Sequence, residues 1–300
     1  MTDLTPSEST GELRKRIASG IVMAALAVSA VMLGGWPFAL FWAAAAVGIF
    51  WEWSAIVAGG AVAARVAGVA ALIAGALAAG AGQIYAASVA LAVGVAAVAG
   101  AWDSGRSIRL FGAERAGETP AVPASAPGRR WWGAAGVIYA GIVLMAPIVL
   151  RRDRELGLLA ILFLFAVVWS TDILGYFVGR AIGGPRLAPQ ISPKKTWSGA
   201  WGGVLGALAA GVAVVYIAGS AALVPVACIA LVLSVASQAG DLFESAVKRR
   251  FGVKDASHVI PGHGGLMDRL DGFIAAGGVA ALVGIMRGGL DASARGLLLW

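Results

Sequence analysis

Cysteine and histidine are nearly absent from this chain, with one Cys and two His among 300 residues. A single thiol, Cys228, cannot close an intramolecular disulfide, and its apolar setting marks it as a small packing residue. Charge is scarce too: Asp, Glu, Lys and Arg together supply 13% of the residues, about half the share of soluble domains. No basic stretch interleaved with aromatics stands outside the apolar runs, so the net charge of +7 does not point to nucleic acid. The apolar/polar alternation of membrane-barrel strands is also missing. What fills the chain instead is apolar sequence, with a mean hydropathy of +0.84. Apolar runs of about twenty residues recur from Ile17 onward, each able to cross the roughly 30 Å of bilayer hydrocarbon. Backbone polar groups in lipid need internal partners, which leaves helices. The expected fold is therefore all-α, a polytopic integral membrane protein with about nine transmembrane helices.

The expected spans lie at about 17–34, 37–57, 64–80, 84–102, 133–150, 156–179, 199–218, 223–240 and 272–290. Arg14-Lys15-Arg16 before the first run resembles a signal peptide, but the run continues past any cleavage site, so a retained first helix is expected. Residues 1–16 form a short tail, 17–102 a first group of about four spans, and 133–300 a second group of about five. Between them, residues 103–132, with TPAVPASAPGRR, have the Pro/Ala/Ser/Gly composition of a flexible connector. With the N-terminus in the cytoplasm, all 23 Lys and Arg except Arg151, Arg152, Arg154, Arg287 and Arg295 fall inside, as the positive-inside rule requires.

An ionisable side chain near the middle of a span costs about 2.5–3.5 kcal/mol on insertion scales, so each asks for a reason. Glu52, in Trp51-Glu52-Trp53, reads as an interfacial residue in an aromatic belt. Asp172, in WSTDILGYFVGR, lies deeper and reads as functional. Residues 179–199, GRAIGGPRLAPQISPKKTWSG, place Ser192, Lys194, Lys195 and Thr196 in a loop running into a helix start, a setting suited to phosphate. If the eighth helix continues past its span, Asp241 and Ser245 share a face and Glu244 pairs with Lys248. Pro261-Gly262-His263-Gly264-Gly265 cannot be regular helix, and Asp268 and Asp271 follow at i,i+3. Oxygen ligands without Cys suit Mg²⁺ rather than Zn²⁺, and Mg²⁺ binds one or two carboxylates together with substrate phosphates. Together these residues point to a membrane-embedded enzyme that handles phosphates.

From Ser245 to Asp271 the chain reads SAVKRRFGVKDASHVIPGHGGLMDRLD, which resembles the defining motif of the phosphatidate cytidylyltransferases, the CDP-diacylglycerol synthases. The motif positions are Ser245, Lys248-Arg249, Lys254-Asp255, Ser257, Ile260-Pro261, His263-Gly264-Gly265, Asp268-Arg269 and Asp271. SPKKTWSG and TDILGYFVGR resemble further family segments in the expected order. The resemblance implies transfer of CMP from CTP to phosphatidic acid at the cytoplasmic face of a bacterial inner membrane, with Mg²⁺, a second monovalent cation (K⁺) and a homodimer. It implies metal binding by Asp241 and Asp268, supported by Asp271 and Asp172, with Ser245 against the metal or phosphate. Lys194, Lys195, Lys248, Arg249, Lys254 and Arg269 would offset phosphate charge, and Gly264 and Gly265 would let backbone approach it. His263 reads as a phosphate donor or loop anchor.

Two alternatives differ in testable ways. Asp268-x-x-Asp271-Gly272-x-x-Ala275 resembles the start of the CDP-alcohol phosphotransferase motif, but position 276 is Ala where that motif has Arg, and its later aspartates are missing. An ion-coupled transporter would line several spans with polar residues at mid-depth. Here they gather near the expected cytoplasmic ends.

Overall fold

A computed structural model describes residues 6–57, 61–102, 128–219, 222–257 and 264–300, with side-chain detail from residue 19. Helices α1 (Pro6–Leu33), α2 (Gly35–Ile56), α3 (Val62–Gly80), α4 (Ile84–Ala101), α5 (Arg129–Arg151) and α6 (Gly157–Ile182) come first. A hairpin of β1 (Arg186–Ala188) and β2 (Ser192–Thr196) follows, then α7 (Trp197–Ile217), α8 (Leu223–Arg250), α9 (Met267–Gly288) and the short α10 (Ser293–Leu298). Helices α2 to α9, 8 in all among the described residues, are long and apolar enough to cross a membrane. The first expected span lies in α1, whose described apolar part, Ser19–Leu33, is shorter. The chain is a multi-pass membrane protein.

Two local outcomes differ from the sequence expectations, at the hairpin and at Cys228, and a third realises the conditional reading of the eighth helix. Residues 186–196, expected as loop, pair antiparallel with Arg186 opposite Thr196 and Ala188 opposite Ser192, because backbone at a bundle end needs partners. Helix α8 runs 28 residues, about 42 Å at 1.5 Å per residue against roughly 30 Å of hydrocarbon, so it continues past the span expected at 223–240. Cys228 stands exposed on α8 rather than packed. Of the expected connector, residues 103–127 lie outside the described residues, while Arg129 to Trp132 already belong to α5.

The core forms where α5 passes between the two groups of helices, touching α2, α3, α4, α6, α9 and α10. Trp42 on α2 stacks on Phe273 of α9 at 4.8 Å, and Trp53 Nε1 donates to the Trp132 carbonyl at 2.7 Å. Between α6 and α7 the helices meet through glycine: a Cβ on Gly199 would fall 2.7 Å from the Gly175 carbonyl, and one on Gly203 2.8 Å from that of Thr171. Lipid tails are as apolar as leucine, so such close backbone contact, rather than a hydrophobic drive, holds membrane helices together.

One end of the bundle is tied by Asp153, which is fully buried between α5 and α6. Its carboxylate accepts the N–H groups of Glu155 (3.1 Å), Leu156 (3.3 Å) and Arg295 (3.0 Å), fastening α10 to the α5–α6 turn. Burial alone would raise the Asp153 carboxyl, but these N–H donors and the Arg295 guanidinium outweigh it and hold the group below its usual range. A depressed folded value means the stabilisation is complete above the unfolded pKa of about 4 and is lost as pH falls through the folded value. Asp153→Ala is expected to destabilise the detergent-purified protein by about 1.5–3 kcal/mol at neutral pH, in a denaturant or thermal titration. The gap to wild type should shrink below about pH 4. An equal gap at pH 3 and pH 7 would rule out the charged hydrogen bonds as its source.

Candidate active site

The opposite end of the bundle gathers charged residues of α6, β2, α8 and α9. What brings the aspartates together is the α8–α9 crossing. A Cβ on Gly240 would fall 2.6 Å from the Asp271 carbonyl, and one on Gly272 2.5 Å from Ser237 Oγ. Each of these glycines adjoins an aspartate in sequence, so the contact that packs the helices also brings Asp241 and Asp271 close together.

Around that crossing the side chains form a continuous network. Lys195, at the end of the hairpin, pairs with Asp241. Lys248 Nζ lies 2.7 Å from Glu244 Oε2 and 2.5 Å from Asp268 Oδ1, which realises the expected i,i+4 pair and adds a second carboxylate to it. Asp268 Oδ2 accepts the N–H groups of Gly265 (2.9 Å) and Ala256 (3.3 Å). Asp271 lies within electrostatic reach of Asp241, Glu244 and Asp172. Asp172 in turn senses Asp241, Lys195 and Arg269. Helix α9 begins at Met267, so Asp268 and Asp271 occupy its first turns.

The remaining expected residues divide into several groups. Ser192, Lys194, Lys195 and Thr196 form β2, with Lys194 exposed. Thr196 is already engaged as the N-cap of α7, accepting the Gly199 N–H at 3.1 Å. Ser245 is half-buried on the face of Asp241, while Arg249, Lys254 and Arg269 are exposed. Gly264 adopts φ +81°, a conformation that glycine takes without strain. His258 and His263 lie outside the described residues.

The fit to a cation rests on the donor set. Acids outnumber the bases that they face: Asp172, Asp241, Glu244, Asp268 and Asp271 meet Lys195, Lys248 and Arg269. Among the described residues, buried Glu244 Oε1, Ser237 Oγ and the Tyr139 hydroxyl find no hydrogen-bond partner. Tyr139 senses the charges of Asp271, Glu244, Asp241 and Asp268, so its orphaned hydroxyl belongs to this region. Among the described residues no three His, Cys, Asp or Glu side chains enclose an ion by themselves. An excess of carboxylate oxygen without a closed cage fits Mg²⁺, which takes part of its shell from water and substrate phosphate.

Two participants escaped the sequence reading. The i,i+4 spacing pairs Glu244 with Lys248 without marking it as part of the site; its side chain, 1% exposed, sits inside the network. Glu52, expected at an aromatic interface, is instead buried at 2% exposure. It accepts hydrogen bonds from Ser257 Oγ (2.6 Å) and from the N–H groups of Leu266 (2.8 Å) and Met267 (2.7 Å). The cost of a carboxylate inside an apolar helix is the sequence signal that points to it. Partners more than 200 residues away are invisible to local pattern.

An apolar helical bundle with a carboxylate–lysine network at one end defines the setting for chemistry at a membrane surface, and the sequence relatives of the chain give its class. The chain belongs to the cytidylyltransferase family, whose model matches residues 14–286. It is 39% identical over 273 residues to the phosphatidate cytidylyltransferase of Brucella abortus, covering 91% of this chain and 93% of that one. The enzymes of that name from Staphylococcus saprophyticus and Bacillus subtilis match over 46% of this chain, at 43% and 41% identity. They align over 52% and 51% of their own lengths.

Proposed function

We propose that this protein transfers CMP from CTP to phosphatidic acid, forming CDP-diacylglycerol and releasing pyrophosphate. The observation that carries the reading is the Lys195–Asp241 and Lys248–Glu244/Asp268 network at one end of an apolar bundle, in a chain of this family. A water-soluble nucleotide and a lipid phosphate meet only at such an end. The placement of Lys and Arg argues that it faces the cytoplasm of a bacterial plasma membrane.

In the reaction a lipid phosphate oxygen forms a bond to the α-phosphorus of CTP, and the bond from that phosphorus to the α,β-bridging oxygen breaks. Pyrophosphate leaves with the electron pair. A phosphate monoester has a second pKa of about 6, so the nucleophile is largely ionised at neutral pH and needs no strong base. Two polyanions must nevertheless come together, which makes charge neutralisation and positioning the main tasks of the protein. Lys195 can exchange Asp241 for a phosphate oxygen, and exposed Lys194, Arg249, Lys254 and Arg269 are positioned to draw in CTP. Mg²⁺ held by Asp241 and Asp268, with Asp271 and Asp172 in support, would supply phosphate neutralisation and Lewis-acid polarisation when bound. The second monovalent cation (K⁺) and the homodimer belong to the same proposal.

Purified protein in mixed micelles with labelled CTP and phosphatidic acid is expected to form CDP-diacylglycerol and pyrophosphate in equal amounts, and chelation of Mg²⁺ is expected to stop it. Absence of the liponucleotide across a range of Mg²⁺ and lipid concentrations would overturn the reading. Product formed equally well with chelator present would overturn the metal assignment alone.

A further inference from the structure

We propose that Glu52, from the N-terminal group of helices, is a positioning residue that sets the start of α9 and with it the placement of Asp268, Arg269 and Asp271. The proposal rests on the cytidylyl-transfer reading for its effect on turnover, and on geometry alone for its effect on structure. A buried carboxylate is expensive unless its lone pairs are satisfied. Glu52 is 2% exposed, and its three hydrogen bonds described above all come from residues 257–267.

The location of these donors gives the bonds their meaning. A helix leaves its first N–H groups without intrahelical partners. At the start of α9, Leu266 occupies the cap position and makes no side-chain cap bond. Glu52 Oε1 and Oε2 accept the Leu266 and Met267 N–H groups from across the bundle, so a residue of α2 does the work that a local Ser or Asp would otherwise do. Its charge also suits the positive end of the α9 dipole. Through Ser257 Oγ the same carboxylate holds the chain on the α8 side of the loop.

Gly265 fits between these groups because it lacks a side chain. A Cβ there would fall 2.9 Å from Glu52 Oε2 and 2.8 Å from the Ala256 Cβ. The Gly265 N–H points the other way, to Asp268 Oδ2. Glu52 and Asp268 therefore grip one short stretch of backbone from opposite sides, and Asp268 Oδ1 is in turn held by Lys248. Releasing Glu52 frees the first turn of α9 to shift, and the aspartates on that turn shift with it. A role confined to stability would leave the kinetics of the folded fraction unchanged.

The test compares Glu52→Gln, Glu52→Asp and Ser257→Ala with wild type in detergent. Amide exchange without substrate is expected to quicken by at least about tenfold at Leu266 and Met267 in Glu52→Gln, while α5 stays protected. Turnover per folded molecule should fall about 10–100-fold, the range for residues that orient ligands from behind. The loss is expected mainly in kcat, with a raised half-saturation for Mg²⁺. Glu52→Asp, which keeps the charge, should recover part of it, and Ser257→Ala should lose less than Glu52→Gln. Unchanged exchange at Leu266 and Met267, or kcat within twofold of wild type, would overturn the proposal. If Glu52→Gln does not fold, Ser257→Ala decides by the same exchange and kinetic readouts. If wild type forms no CDP-diacylglycerol, the function reading falls while the exchange result still judges the geometry.

Discussion

Asp241→Ala is expected to reduce CDP-diacylglycerol formation by about 10³-fold or more, equivalent to roughly 4 kcal/mol of transition-state stabilisation. Asp241 stands on α8 beside the glycine where α9 crosses, paired to Lys195 and within reach of Asp172 and Asp271. Removing it takes away a carboxylate at the centre of the network and leaves Lys195 without its partner. The fold should survive, because alanine is a good helix residue and the Lys195–Asp241 pair is about one-third exposed, at 29% and 33%. Asp268→Ala should lose as much activity and also lose stability. It strips acceptors from the Gly265 and Ala256 N–H groups and from Lys248. Labelled-CTP turnover together with a thermal unfolding midpoint separates the two variants. Asp291→Asn, at the other end and 88% exposed, is the control expected to keep full activity. If Asp241→Ala turned over within tenfold of wild type, Asp241 would not be a metal-binding residue.

The largest effect on stability is expected from Lys248→Met. Its ammonium is shared by Glu244, at 1% exposure, and Asp268, at 13%. Breaking a buried ion pair from one side leaves an uncompensated charge, typically at 3–5 kcal/mol, whereas replacing the whole group by apolar residues is often neutral. Lys248→Met should therefore unfold at markedly lower denaturant, and adding Glu244→Gln should recover a substantial part of the loss. Turnover should remain low in both, because Asp268 has lost its orienting partner. Equal stability of Lys248→Met and wild type in an SDS titration of mixed micelles would show that the buried pair does not hold the site end together.

Much of this architecture is legible in one dimension. Hydrophobic runs about one bilayer long mark helices wherever they occur, and the spans expected at 37–57, 64–80 and 84–102 each correspond to a helix within a few residues. The i,i+4 spacing of Glu244 and Lys248 predicts their pair because the geometry of a helix is the same in every fold. The motif from Ser245 to Asp271 marks the family for a different reason: its residue types and spacings are read directly from the chain. The β1–β2 hairpin is harder to see, since its strands of 3 and 5 residues carry no period long enough to detect.

Glu52 shows the other limit. Its neighbours, Trp51 and Trp53, make it look interfacial, yet its partners are Ser257, Leu266 and Met267, met only after α2 has folded against α9. The sequence by itself determined that this chain is an apolar helical bundle with most of its clustered intramembrane and loop charges in the second half, because bilayer thickness and local spacing act on consecutive residues. Only the tertiary structure decided that Glu52 of the first half reaches the start of α9, and that glycines at the α8–α9 crossing bring Asp241 and Asp271 together. Long-range contacts depend on which helix faces meet, and no local period records that choice.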